Sequence, residues 1–315
     1  MPERMPRIVG AGVCCQDSIV VTPPAAWGQT AHIKEYHEQG GGLVATALAA
    51  CARLGASASL LSFLGDDATG DTILRDLEHA GVATEHVARV AGRRSPFSFV
   101  HVCAGSGERT IFHYRPEGLA GAREIPRRLV AQADVLLVDA YFPELSRAAA
   151  QVARASGVPV VADLVPAPEC AELLQYVDVL IAPRDFAREA ELETDLDAAL
   201  DTLHAWGPRA ALITLGAEGW VYSGPEGRGR GTAFPVAAVD TTGAGDVFHG
   251  AYTYALARGC ATNDCARFAA AAAAIKCTAV GGRGGIPDLP AVAAFLKARL
   301  PELEWPPFLR ADPAR

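Results

Sequence analysis

The string Asp240-Thr241-Thr242-Gly243-Ala244-Gly245-Asp246 runs directly into an apolar stretch, Val247 to Ala257. It reads as a turn that opens a helix. Gly243 and Gly245 keep the backbone bare where the first N–H groups of a helix lack intrahelical partners. Such an end attracts anions, phosphate above all. Asp246 falls in the first turn of that helix, and a carboxylate beside a phosphate-binding nest can take the proton of a hydroxyl that attacks phosphorus. For a bare Gly-x-Gly the plainer reading is a turn whose acid favours the helix dipole. The acid at each end of this string, with a helix directly behind it, favours the chemistry.

Other residues could complete such a site. Asp17 follows the first apolar run, at the strand end where α/β sheets place ligands. Gly40-Gly41-Gly42 leads into a helix that carries Thr46, and Thr214-Leu215-Gly216-Ala217-Glu218-Gly219 forms a second glycine-bearing turn. Each has a structural alternative: a solvated aspartate, the turn before a helix, a tight strand–strand connection.

These residues need a scaffold, and the rhythm of the chain supplies one. The 315 residues, half of them hydrophobic, suffice for one large α/β domain, alone or with a small appendage. Ile8–Val13, Ser59–Leu64, Val135–Asp139, Val158–Asp163, Val179–Ala182 and Ala210–Leu215 read as strands. Ala45–Leu54, Ala68–Ala80, Glu144–Ser156 and Leu196–Trp206 read as helices between them. That alternation predicts a mostly parallel sheet covered on both faces. After Gly243 the chain is nearly all helical, with Gly281 to Gly285 as a loop before Pro287. Two stretches break the rhythm: Ser18–Val21 with Ala31–His37, and Phe97–Cys103 with Arg109–Tyr114 around Gly105-Ser106-Gly107. They predict a small second sheet, a lid that could close over a site.

Bulk properties exclude some functions. The net charge of −8 comes with no basic block, so nucleic acid is not an expected partner. No apolar run approaches the ~18 residues of a membrane span, so no membrane association is expected. Arg4 and Arg7 precede a short apolar stretch, but Gln16-Asp17 interrupts it early, which favours a strand over a signal peptide. The eight cysteines lack C-x-x-C spacing, as expected of buried free thiols in a cytoplasmic protein rather than metal ligands.

The order of these motifs resembles the ribokinase (PfkB-type) carbohydrate kinases over essentially the whole chain. The strings that carry the resemblance are Asp240–Asp246, Gly40-Gly41-Gly42 with Leu54-Gly55-Ala56, Leu64 to Gly70, and Thr214 to Gly219. The resemblance implies a Rossmann-type three-layer α/β/α sandwich with a small β-sheet lid. It implies a single domain over residues 1–315, with lid segments at about 16–38 and 95–117. By the same resemblance Asp246 is the catalytic base, and Gly243, Ala244 and Gly245 form an anion hole for the transferred phosphoryl group. Asp17, Gly41, Gly42, Thr46, His113 and Tyr141 fall on the sugar side, with Thr46 standing where the family often has Asn. Thr214, Gly216, Gly219, Thr241 and Gly282 fall on the ATP side, and the loop 281–285 with Ile275–Thr278 on the adenine wall. Asp240 and Thr242, with carbonyls from 279–284, resemble a monovalent-cation (K+) site. Mg2+ is implied with ATP, yet the family's Asn-x-x-Glu element is replaced by Arg184 and Ala187, with Asp185 or Glu189 as the candidates to compensate.

Several strings look most like the sulfofructose kinases of this family. The positions where those carry Asn, Arg and a lid Lys hold His113, Tyr141 and a residue at or near Thr30. Arg109 and Arg115 could replace that clamp. His113 and Tyr141 suit neutral hydroxyls better, so the expected reaction is transfer of the ATP γ-phosphate to a primary hydroxyl of a furanose-type sugar, a neutral ketose first. Sulfofructose, a nucleoside, or a catalytically idle binding role are the alternatives. Apolar lid residues Phe97, Phe99, Ile111 and Phe112 predict a homodimer through the lid.

Overall fold

The computed structural model describes residues 4–24, 28, 30–105, 109–120 and 124–310. The chain runs β1 (Arg7–Ala11), β2 (Cys15–Thr22), β3 (Glu35–Gly41), α1 (Leu43–Arg53), β4 (Ser57–Gly65), α2 (Ala68–His79), β5 (Val82–Ala83), β6 (Val87–Val90), β7 (Phe97–Cys103) and β8 (Arg109–Tyr114). Next come α3 (Arg127–Ala131), β9 (Val135–Asp139), α4 (Pro143–Ala155), β10 (Val160–Asp163), α5 (Ala171–Leu174), β11 (Val179–Pro183), α6 (Arg184–Glu189), α7 (Leu196–Ala205) and β12 (Ala210–Thr214). It closes with β13 (Trp220–Gly224), β14 (Gly227–Gly231), α8 (Ala244–Ala257), α9 (Thr262–Lys276), α10 (Leu289–Arg299) and α11 (Pro307–Arg310).

The main sheet has the order β14-β13-β12-β11-β10-β9-β1-β4-β5, with β6 also paired to β4. Its strands are parallel from β12 to β5, and the β13–β14 hairpin adds an antiparallel edge. Continuous apolar runs such as Val135–Val138 are buried because helices cover both faces. Alternate residues serve opposite cores: Ile8, Leu137 and Leu212 face α1, α8 and α9. Val9, Leu136 and Ile213 face α4 and α7. This is the three-layer sandwich expected from the sequence. Asp67, Asp195 and Asp288 cap α2, α7 and α10 by accepting a backbone N–H of the first turn.

The lid is a separate four-stranded sheet in the order β3-β2-β7-β8, with β2 and β7 parallel. Its second strand differs from expectation. Residues 31–34 are not strand, and β3 instead runs on to Gly41, so Gly40 and Gly41 end a strand rather than form a turn. Ser106 and Gly107, expected in the hairpin turn, lie outside the described residues. The register also splits the apolar lid residues. Phe99 pairs with Phe112 and Phe97 with Tyr114 on one face, while Ile111 opposite Val100 looks the other way. The hairpin β13–β14 and the short β5 and β6 had no clear signal; in β14 the sequence Gly-Arg-Gly-Arg-Gly has no apolar alternation to read.

Among the described residues no helix is long and apolar enough to cross a membrane. The eight cysteines are free thiols, five of them buried.

Helices α1 and α8 touch backbone to side. A Cβ at Gly250 would lie 2.2 Å from the carbonyl oxygen of Ala47. Gly250→Ala therefore forces the two helices apart. The expected cost is about 1–3 kcal/mol, measured as a lower denaturant midpoint with an unchanged slope.

Candidate active site

Strands β1, β9 and β10 end at the same edge of the sheet. Asp139 closes β9, Asp163 closes β10, and the two are register partners. Asp139 is fully buried and accepts the N–H groups of Val13 (2.8 Å) and Tyr141 (2.9 Å), which ties the chain after β1 to this edge. Burial pushes its carboxyl up to about 7, against the pull of those two N–H groups.

Helix α8 starts over this edge. Its N-cap, Gly243, has φ +72° and no side chain caps the helix, in contrast to α2, α7 and α10. A Cβ at Gly243 would stand 2.5 Å from the carbonyl oxygen of Gly282, so only glycine fits in both conformation and space. Asp246 lies in the first turn. Burial raises its carboxyl well above the usual carboxylate range, and the nearby charges of Asp163, Asp17 and Asp139 add to this, opposed by Arg283. One turn further, His249 pins the helix to the sheet. Its Nδ1 lies 2.8 Å from the Gly245 oxygen and 3.3 Å from Asp163 Oδ2, and its Nε2 lies 3.2 Å from the Ile181 oxygen.

Asp17 reaches the same space from the lid. A Cβ at Gly41 would sit 2.2 Å from Asp17 Oδ2, so the glycine is what admits this carboxylate. Cys15 Sγ donates to Asp17 Oδ1 at 3.4 Å. Burial raises the Asp17 carboxyl, and contacts from Cys15 and Ser98 and the charge of Arg283 oppose the rise. A polar chain continues outward: Ser98 Oγ is 3.1 Å from His113 Nδ1, and His113 Nε2 is 3.2 Å from the Tyr141 hydroxyl. Burial, with Arg115 nearby, lowers the His113 pKa, so a neutral ring is favoured. Arg115 lies over the Tyr141 ring, 4.5 Å from its centroid, and donates to the Tyr141 carbonyl. Thr46 is buried and receives Arg283 Nε at 3.4 Å. Gly42, at φ +94°, packs against the backbone of Val13 and Cys14.

On the other side of α8 lies a cavity of about 420 Å³. Thr214, Gly216, Gly219 and Thr241 line it, with Trp220, Phe234, Phe248 and Cys277. It opens onto Ala244 and Gly245, so a nucleotide seated there would point its phosphates at the start of α8. The cavity is lined mostly by apolar groups and borders the uncapped start of α8. Gly282 does not line it. It backs Gly243 instead, and the 281–285 loop turns toward the lid, where Gly281 abuts Gln39. Arg283 joins these parts: it donates to the Gly41 carbonyl (3.0 Å) and pairs with Asp76.

The Asn-x-x-Glu position holds no metal ligand. Arg184 pairs with Glu218 at 2.6 Å and Ala187 is buried in the core. Asp240 Oδ1 accepts the Thr242 N–H (2.8 Å), Oδ2 accepts the Gly281 N–H (2.7 Å), and its carbonyl accepts Lys276 Nζ (3.0 Å). Burial alone would raise the Asp240 carboxyl, but these N–H groups hold it below the usual range. Arg109 of the lid donates to Thr241 Oγ1 at 2.8 Å.

The sequence profile of the pfkB family carbohydrate kinases matches residues 7–289. The chain belongs to this family. It is 32% identical to the ribokinase of Haemophilus influenzae over 284 residues, 86% of this chain and 91% of that protein. It is 30% identical to an ATP-dependent ribose-1-phosphate kinase of Halopiger xanaduensis, over 88% of this chain and 92% of that one. The structure of Arabidopsis thaliana ribokinase with ribose and ATP superposes with a TM-score of 0.83 at 25% identity, covering 93% of this chain and 99% of that one. The protein is thus a carbohydrate kinase, a phosphotransferase with an alcohol acceptor.

Asp139, Asp163 and His249 carry much of this geometry and had no assigned role in the sequence reading, while Arg283 and Lys276 had been placed only within the adenine-wall segments. For His249 a signal existed, since it lies one turn after Asp246 on a helix whose start was predicted.

Proposed function

We propose that the protein transfers the γ-phosphoryl group of ATP to a primary hydroxyl of a neutral furanose-type sugar, with Asp246 as the base. The observation that carries this reading is the place of Asp246, in the first turn of an uncapped helix between the apolar cavity and Asp17. Asp17 and the Gly41 backbone hold the sugar, with Thr46, His113 and Tyr141 around it. Asp246 takes the hydroxyl proton while that oxygen attacks the γ-phosphorus. The N–H groups of Gly243 and Gly245, and that of Ala244 on leaving the Thr241 carbonyl it meets at 3.2 Å, receive the charge that builds on the phosphoryl oxygens. Mg2+ bound with ATP supplies shielding of the triphosphate charge. Arg184, paired with Glu218, and the buried Ala187 would not hold it.

A neutral substrate is favoured because the lid arginines are engaged: Arg109 on Thr241 and Arg115 on Tyr141. A sulfonate or phosphate would have to break those contacts. Ketose and aldose furanoses both satisfy this site, and the ribokinase relatives place ribose beside fructose as the first sugars to test. A homodimer through the lid would cover the aromatic face formed by Phe97, Phe99, Phe112 and Tyr114. These residues are 39%, 40%, 49% and 39% exposed in the single chain.

A coupled ADP-release screen across ribose, fructose, sulfofructose and nucleosides should find turnover on a neutral furanose. Asp246→Asn should lower it by roughly 10²–10⁴ with no loss of melting temperature. Substantial activity in a folded Asp246→Asn protein contradicts the assignment. The base must be ionised, so its raised pKa places the acidic limb of kcat/KM above the ordinary carboxylate range. Asp163→Asn removes a like charge and should move that limb to lower pH; an unmoved limb would assign it to another group. Light scattering should give twice the chain mass, and Phe99→Glu with Phe112→Glu should give the monomer.

A further inference from the structure

Lys276 is a charged side chain with no exposed surface, and the steps above do not use it. An ammonium is strongly hydrated in water, so complete burial needs a compensating electrostatic partner. It stands in the last turn of α9, where the helix dipole favours a cation. Its Nζ donates to the Asp240 carbonyl at 3.0 Å, on the residue that opens the anion-binding turn. Burial lowers the Lys276 pKa, while the carboxylates of Asp240 and Asp246 oppose that loss of charge.

A monovalent cation at Asp240 would draw on these oxygens together with carbonyls of the loop 279–284. The Asp240 oxygens are engaged: both carboxylate oxygens by the N–H groups of Thr242 and Gly281, and the carbonyl by Lys276. Potassium would therefore have to displace an ammonium already seated at the carbonyl. The residues at Asp240 and Thr242 do not fit the cation site suggested by the family resemblance.

We propose that the Lys276 ammonium, rather than a bound potassium ion, supplies the positive charge under the turn 240–243, and that this kinase works without K+. Lys276 is a positioning residue here. It holds the Asp240 carbonyl and adds a fixed charge below the N–H groups that meet the phosphoryl oxygens. The rate arm of the test rests on the phosphoryl-transfer reading; the binding arm does not.

The rate arm compares K+ with tetramethylammonium at matched ionic strength, on whichever sugar gives turnover. The wild-type rate should be the same in both. Lys276→Ala should lose about 10²-fold in tetramethylammonium and recover in K+, a rescue that a purely structural lysine would not show. The binding arm soaks crystals with thallium(I), a potassium stand-in located by anomalous scattering. Wild-type crystals should show none at the Asp240 carbonyl, and Lys276→Ala crystals should show one. Thallium at that carbonyl in the wild type, or a wild-type rate that rises severalfold with K+, overturns the proposal. If Lys276→Ala does not fold, the wild-type measurements decide alone. If no sugar is phosphorylated, the reading of the function fails while the thallium result still decides this one.

Discussion

A carboxylate at the open end of a helix is the constraint around which the site is arranged. Asp246 sits where the helix dipole favours negative charge, yet it is crowded by burial and by Asp163, Asp17 and Asp139. Both effects have a use. The dipole and uncapped N–H groups that stabilise an anion suit a phosphoryl group as well. The crowding makes the carboxylate a better proton acceptor than a solvated one. Two cations keep this arrangement from being a cluster of mutually repelling acids: Arg283, reaching from the loop 281–285 to the lid, and the buried Lys276 below the turn.

The fold builds that balance from distant segments. Parallel strands deliver Asp139 and Asp163 to one edge, as open α/β sheets do. The lid brings Asp17 against Gly41, and the loop after α9 backs Gly243 with Gly282. Close approaches at glycine recur at each junction, because a Cβ would separate the very groups the reaction needs together. Arg109 and Arg283 then link the lid to the turn and to the body.

What could be read from sequence was what is local along the chain. Gly243, Gly245 and Asp246 are contiguous, and turn, helix and acid explain one another without tertiary information. The alternation of apolar runs gave the sandwich, since short runs such as Val135–Asp139 and Ala210–Thr214 between longer amphipathic segments fit strands covered on both faces. Contacts across the chain were not legible. Arg283 meets Thr46 across 237 positions and Lys276 meets Asp240 across 36, so neither pairing leaves a local pattern. Gly282 was placed on the nucleotide side by the family resemblance, and its packing against Gly243 and Gln39 is another contact that no local pattern reveals. The extent of β3 was misjudged for a related reason: its outer residues are exposed, so burial imposes no alternation on them.

The most direct measurement is a crystal structure with ADP, aluminium fluoride and the sugar that the protein phosphorylates. The account predicts the planar fluoride against the N–H groups of Gly243 to Gly245, and the acceptor hydroxyl within hydrogen-bond distance of Asp246. A fluoride bound away from the start of α8, or an acceptor hydroxyl held by a group other than Asp246, would contradict it.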